Sequence, residues 1–129
     1  MTTILGMGLD VVELARLQGI LRRRGDRFVE RYCRDGEVRR RDGAPGLQHL
    51  GGLFAAKEAV LKALGTGWAQ GLSLRQVEVV RGPGGRPEVR LHDAAKRRAD
   101  ELGVRSIHLS ISHESSLAAA VALLEGAGR

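Results

Sequence analysis

Residues 54–65, which read FAAKEAVLKALG, decide the fold of this protein. Nine of these twelve residues are small or apolar, and no face of the helix that they predict is generally polar. A helix that is apolar all round is usually buried in a core. Gly65 and Gly67 then supply a typical helix end. We therefore predict a central buried helix over residues 48–65.

Three charged residues, Lys57, Glu58 and Lys62, interrupt this apolar helix. Glu58 and Lys62 are four apart and project on the same side. Charges on a buried helix need a partner, which can be each other, a metal or a ligand. The spacing alone favours a plain Glu–Lys pair on a partly exposed helix, because structural ion pairs are common. The chain has three lysines against 18 arginines, and two of the three lie here, which favours a need for a compact, titratable ammonium.

The N-terminal residues 3–12 alternate in the way that is typical of a strand. Gly6, Gly8 and Asp10 share one face, and the other face is largely apolar. Glycines beside a carboxylate allow something to approach the backbone closely. Alternatively, Asp10 caps the helix that begins near Glu13. The sequence leaves both interpretations open.

Residues 106–112 alternate again, and Ser110, Ser112 and then His113 mark their polar side. Hydroxyls, imidazole and turn amides suit phosphate oxygens. The polar outer face of an edge strand is the alternative.

The other patterns predict helices at 13–24, 26–34 and 93–102 (with Asp93 as a cap), a loop at 35–46, a turn at 82–85, and strands at 77–80, 88–91 and 117–124.

These elements add up to an α+β fold, with a mostly antiparallel sheet packed on a central apolar helix, in a single domain over residues 1–129. No apolar run approaches the roughly 18 residues of a membrane span. The N-terminus lacks the pattern of a signal peptide, and the single Cys33 excludes an internal disulfide. We expect a cytoplasmic protein without a membrane span.

The net charge is +6, and ten arginines fall between Arg16 and Arg41. A basic protein favours an anionic partner, such as a nucleic acid, a phosphorylated small molecule, a membrane surface or an acidic protein. If the first helix continues past Gly25, then Arg16, Arg23 and Arg27 lie on one line at spacings of seven and four. A solvated helix face is the alternative.

Taken together, the segments resemble the motifs of the holo-acyl-carrier-protein synthases, which are 4'-phosphopantetheinyl transferases. The matching segments are Gly8-Leu9-Asp10 with Arg16, Phe54-Ala55-Ala56-Lys57-Glu58-Ala59 with Lys62, Ala63 and Gly65, the sequence Gly85-x-Pro87, and Ser110-Ile111-Ser112-His113 with Ala119, Ala120 and Val121. The resemblance spans nearly the whole chain in the right order. It implies the 4'-phosphopantetheinyl transferase fold and a transfer of phosphopantetheine from coenzyme A to a serine of an apo acyl carrier protein, which releases adenosine 3',5'-bisphosphate.

The resemblance also implies roles for single residues. Asp10 and Glu58 would hold Mg²⁺, and Asp10, Glu58 and Lys62 would be catalytic, with Glu58 helping to deprotonate the serine. The implied coenzyme A contacts are Lys57, Lys62, Gly65, Thr66, Ser110, Ser112 and His113. Arg16, Arg23 and Arg27 would bind an acidic carrier protein. A chain this short resembles family members that form homotrimers with active sites between subunits.

Two other functions compete with this interpretation. A basic nucleic-acid-binding module would explain the sequence pI near 10.6, but aromatic residues make up only 3% and no zinc-ligand spacing occurs. A catalytically inactive relative that serves as a binding subunit would explain Leu53, which stands where the family commonly has an arginine.

Overall fold

The computed structural model describes residues 2–65 and 71–127. Its helices are α1 (Leu14–Arg24), α2 (Asp26–Tyr32), α3 (Gly43–Leu64) and α4 (Asp93–Leu102). Its strands are β1 (Thr3–Glu13), β2 (Val77–Arg81), β3 (Pro87–Leu91), β4 (Val104–His113) and β5 (Leu117–Gly126). Short 3₁₀ turns lie at Leu74–Gln76 and Pro83–Gly85. Within the described ranges, no helix is both long and apolar enough to cross a membrane.

The strands form a three-stranded sheet in the order β1-β5-β4 and a separate β2-β3 hairpin. All of these described pairings are antiparallel. Helix α3 packs across one face of the larger sheet and forms the centre of the core. The predicted α+β fold with a central apolar helix is therefore confirmed, with its strands divided between two sheets.

The glycine face of β1 turns inward, against α3. A Cβ atom at Gly8 would overlap the carbonyl of Ala59, and one at Gly6 would overlap the carbonyl of Ala63. The close approach that the glycines allow is therefore that of the central helix. Asp10 caps nothing: the N-cap of α1 is Glu13, without a side-chain capping bond, so the capping interpretation is wrong.

The apolar face of β1 turns outward. Met7, Leu9 and Val11 are 62%, 61% and 53% exposed. Leu9 lies opposite Val121 of β5, which in turn lies opposite Ser110 of β4. Because side chains of paired residues point to the same face, the outer face of the sheet has an apolar half on β1 and β5 and a serine-bearing half on β4.

The predicted loop at 35–46 ends earlier than the sequence indicated, because α3 begins at Gly43. Pro45 lies in the first turn of α3, where its missing N–H is not needed. The amide of Gly46 donates to Asp42 O at 3.1 Å, which closes the first turn.

The condition for the arginine line is not met, and the expected cap of α4 is wrong. Gly25, with φ at 59°, ends α1 and separates it from α2, so Arg16, Arg23 and Arg27 do not lie along one continuous helix. Asp93 does not cap α4, whose N-cap is His92. Instead, the side chain of Gln76 caps the first turn of α4, because Gln76 Oε1 accepts a hydrogen bond from the Ala95 amide at 3.0 Å.

Candidate active site

Helix α3 buries almost every side chain of its second half. Between Leu50 and Leu64, the two residues that are not buried are Glu58 and Lys62. They are one helical turn apart on the same side, and Gly65 ends the helix just beyond them in a left-handed conformation. The second half of the helix therefore presents these two charged groups together on its accessible side.

Lys62 reaches across to β1. Its Nζ donates to Asp10 Oδ1 at 2.9 Å and to the Leu9 carbonyl at 3.0 Å. The Asp10 side chain is 17% exposed and that of Lys62 is 51% exposed. The close packing of β1 on α3 at Gly8 brings these groups together, which the i, i+4 spacing within the helix did not indicate.

Asp10, Arg16 and Glu58 line one cavity of about 490 Å³. Its apolar side includes an aromatic cluster in which Phe28 lies 5.0 Å from Tyr32 and 5.2 Å from Phe54, measured between ring centroids. The structure thus brings the two predicted metal carboxylates and one predicted carrier-binding arginine to one cavity, with Lys62 bonded to Asp10 at its edge.

The donor set of this cavity fits Mg²⁺ better than a metal that needs a complete protein cage. In the described part of the chain, no group of three or more histidine, cysteine or acidic residues could hold a metal. Mg²⁺ commonly binds one or two carboxylates and takes its other ligands from water and substrate phosphates. Asp10 and Glu58 supply that number of hard oxygen donors.

The position of Lys57 does not support its predicted contact with coenzyme A. Its side chain is fully buried, and its Nζ donates to Glu37 Oε1 at 2.8 Å and to the carbonyl oxygens of Leu74 and Val77. Burial lowers the pKa of Lys57, and the Glu37 carboxylate opposes that shift. All three N–H groups are used inside the core, so Lys57 has none left for a cofactor in this arrangement.

The other predicted coenzyme A contacts lie elsewhere. Ser110 and Ser112 are exposed on the outer face of β4, and His113 is exposed at its end. Gly65 follows Lys62 by three residues, and its amide donates to the Lys62 carbonyl at 3.0 Å. Thr66 lies outside the described residues.

His113 lines a second cavity, of about 610 Å³, together with Leu53. Sequence reasoning missed the basic residues that share this cavity, which are Arg39, Arg40, His49 and Arg81. The crowding of arginines near the N-terminus was the available signal for Arg39 and Arg40, and nothing in the sequence indicated Arg81. Burial and the nearby arginines lower the pKa of His49, against the contact with the Glu37 carbonyl, which raises it.

Arg23 and Arg27 are exposed, on α1 and α2 respectively. Helix α2 is fixed by arginines from outside it: Arg41 pairs with Asp26 at 2.7 Å, and Arg75 donates to the carbonyl oxygens of Glu30 and Cys33. The orientation of α2 toward the cavity therefore depends on contacts distant in sequence.

Comparison with known proteins identifies the family of the chain. The family model of the 4'-phosphopantetheinyl transferase superfamily matches residues 6–122. The chain belongs to this superfamily. It is 49% identical over 123 residues to a holo-acyl-carrier-protein synthase of Solidesulfovibrio magneticus, a match that covers 95% of this chain and 99% of that one.

Solved structures of the superfamily share the fold over more than nine tenths of the chain. The holo-acyl-carrier-protein synthase of Neisseria meningitidis is 31% identical, with a TM-score of 0.83, covering 95% of this chain and 98% of that one. The Helicobacter pylori enzyme, in complex with coenzyme A, is 31% identical, with a TM-score of 0.79, covering 92% and 98%. The resemblance inferred from the motifs is therefore confirmed at the level of family and fold.

Proposed function

We propose that this chain is a holo-acyl-carrier-protein synthase that transfers 4'-phosphopantetheine from coenzyme A to a serine of an apo acyl carrier protein. The observation that carries the proposal is that Asp10 of β1 and Glu58 of α3 line one cavity, with Lys62 hydrogen-bonded to Asp10, in a superfamily member. Relatives that are 49% and 48% identical over nearly their whole length bear the same name.

In the proposed reaction, the serine oxygen bonds to the phosphorus that carries pantetheine. The bond from that phosphorus to the bridging oxygen breaks, and adenosine 3',5'-bisphosphate leaves. Glu58 accepts the serine proton, directly or through water. Lys62, half exposed at the edge of the cavity, contacts the phosphate oxygens and donates a proton to the leaving group.

Asp10 and Glu58 would hold the Mg²⁺. When bound, this ion neutralises charge that develops on the pyrophosphate oxygens. The carboxylates keep their positions because β1 packs on α3 without intervening side chains at Gly6 and Gly8. We therefore propose Mg²⁺, held by two protein carboxylates, as the cofactor and coenzyme A as the co-substrate.

We propose a homotrimer with active sites between subunits. The outward apolar face of β1 and β5 gives such contacts a surface, since Met7, Leu9 and Val11 are each more than half exposed. Within one chain, Ser110, Ser112 and His113 do not line the cavity of Asp10 and Glu58. In the trimer, a neighbouring copy would bring Ser110 and Ser112 of its β4, and the arginine-lined cavity beside His113, to that site.

The carrier protein would dock beside the cavity mouth. Arg16 lines the cavity, and Arg23 and Arg27 extend a basic surface along α1 and α2. Complementary charge steers an acidic partner and sets its orientation. The break at Gly25 divides this surface between two helices, so the carrier protein would contact α1 and α2 rather than one straight helix.

The decisive experiment is intact-mass analysis of an apo acyl carrier protein after incubation with this protein, coenzyme A and Mg²⁺. We expect the gain of one phosphopantetheine, and no gain when EDTA is present. The Glu58→Gln variant serves as the matched negative control. Absence of a gain with several apo carriers would overturn the proposal and favour the inactive relative that Leu53 suggested.

The basic charge needs no nucleic acid to explain it, because both proposed substrates are anionic. A cytoplasmic location is also part of the proposal, and the single buried Cys33 is compatible with a reducing compartment. Salt-sensitive binding to DNA or RNA without a need for Mg²⁺ would instead support the nucleic-acid-binding alternative.

A further inference from the structure

The buried pair of Lys57 and Glu37 has no place in the reaction as described. Their side chains are 0% and 1% exposed, with Nζ and Oε1 separated by 2.8 Å. Lys57 Nζ also donates to the carbonyl oxygens of Leu74 at 3.1 Å and Val77 at 2.5 Å. Removing two charges from water is costly unless the remaining hydrogen bonds are made, and here Lys57 makes all of them.

Glu37 completes the network through the backbone. Its Oε1 also accepts from the Arg34 amide at 2.6 Å, and its Oε2 accepts from the Val79 amide at 2.8 Å. The Lys57–Glu37 pair therefore ties together three parts of the chain: the connection between α2 and α3, the middle of α3, and the start of β2.

The pair lies between the two cavities. The Leu74 residue whose carbonyl accepts from Lys57 lines the cavity that contains Asp10 and Glu58. Glu37 and Val79 line the second, arginine-rich cavity. A displacement of the pair would therefore move residues that line both cavities.

Lys57 and Glu58 are consecutive residues of α3, so their directions are linked. Successive helical residues point about 100° apart. The inward direction of Lys57 therefore determines the direction of Glu58, and Lys62 lies one helical turn after Glu58. The buried residues of α3 include four alanines beside larger side chains such as Phe54 and Leu61. Their apolar contacts are non-directional, whereas the three hydrogen bonds of Lys57 have preferred directions.

We propose that the Lys57–Glu37 pair positions the active site by setting the rotation of α3, so that Glu58 and Lys62 face Asp10. The inference rests on the proposed transferase function. Neither residue of the pair touches substrate, and both act through Glu58 and Lys62. A purely stabilising role predicts that activity returns whenever stability returns, whereas a positioning role does not.

The test is the double variant Glu37→Gln with Lys57→Met, which removes both charges while roughly conserving volume. Neutral replacement of a buried pair often preserves folding. The matched control is Lys96→Met with Asp100→Asn, which removes an exposed pair of 2.7 Å on α4. Steady-state transfer kinetics and the midpoint of thermal unfolding are measured for both.

We expect the folded double variant to lose about 100-fold in kcat, with KM for coenzyme A changed by less than about threefold, and the control to retain wild-type kinetics. Wild-type kcat in the folded double variant would overturn the proposal. If the double variant does not fold, Glu37→Gln alone is tested by the same criteria. If neither variant folds, the pair is a folding element and the positioning role is rejected.

Failure of the proposed function is recognised separately, by absence of transfer in the wild-type protein. In that case, crystal structures of the wild type and the double variant provide the comparison. A positioning role predicts loss of the Asp10–Lys62 contact of 2.9 Å in the double variant, and its retention overturns the inference.

Discussion

Glu58 directly follows the fully buried Lys57 and lies one helical turn before Lys62, whose side chain is half exposed. This contrast shows how a single turn of helix can separate structural from chemical roles. Lys57 and Lys62 have the same side chain, yet one lies in the core with three hydrogen bonds and the other lies at a cavity edge. Their environments, rather than their residue type, decide what they can do.

Glu58→Gln should reduce phosphopantetheine transfer by at least about 100-fold, because the amide can neither accept the serine proton nor supply a full charge to Mg²⁺. The midpoint of chemical unfolding should stay close to that of the wild type. The control is Glu101→Gln, the same change at an exposed position of α4, which should retain activity. Undiminished transfer by Glu58→Gln would contradict the metal and base assignments.

Cys33 should be unreactive in the native protein. Burial raises the pKa of its thiol to about 11, against the opposing effect of the Lys57 charge, and the thiolate is the reactive form. Little thiolate is therefore present at pH 8. We expect a thiol-reactive disulfide reagent to label Cys33 only after denaturant unfolds the chain, and prompt labelling of the native protein at pH 8 would refute this.

The pairing of β1 with α3 decides the site at the level of elements. The strand contributes Asp10 and the helix contributes Glu58 and Lys62, and their separation depends on glycines at the contact. Helix α2, which carries Phe28 and Tyr32 to the same cavity, is held by Arg41 and Arg75. The cavity is thus built from elements that the chain order alone does not place together.

Gly8→Ala should destabilise the fold by about 3 kcal/mol, because the new methyl group would overlap the Ala59 carbonyl and force backbone to move. Gly19→Ala is the matched control within α1, where the added methyl group meets a single flexible side-chain atom of Arg23 at 3.4 Å. It should stabilise the helix by about 0.5–1 kcal/mol. Chemical unfolding measures both changes, and equal effects would argue against the close strand–helix packing.

The whole molecule exposes an apolar sheet face on one side and divides the predicted phosphate-binding residues between separate regions. The proposed self-assembly would explain both features. Contiguous exposed apolar surface is uncommon on monomeric soluble proteins and often marks an interface. The outward face of Met7, Leu9, Val11 and Val121 is the part of the structure on which the proposed trimer depends.

Leu9→Glu should convert the assembled protein to monomer and abolish transfer, because it places a charge in the centre of that face. Light scattering coupled to size-exclusion chromatography measures the mass, and circular dichroism checks that the fold is retained. Gln18→Glu, which adds the same charge at an exposed position of α1, should leave the mass unchanged. A wild-type protein that is monomeric at assay concentration would contradict the proposal.

The sequence by itself determined the fold class and the central helix, because apolar periodicity and glycine stops act locally, and the resemblance of its motifs indicated the family. It also identified Asp10, Glu58 and Lys62 as candidates, since charges among buried neighbours are conspicuous. Only the tertiary structure decided that Lys57 is a core residue, that Lys62 pairs with Asp10, and that Arg81 shares a cavity with His113. The reason is physical: local patterns constrain backbone conformation and burial, whereas the partner of a side chain depends on how distant elements pack.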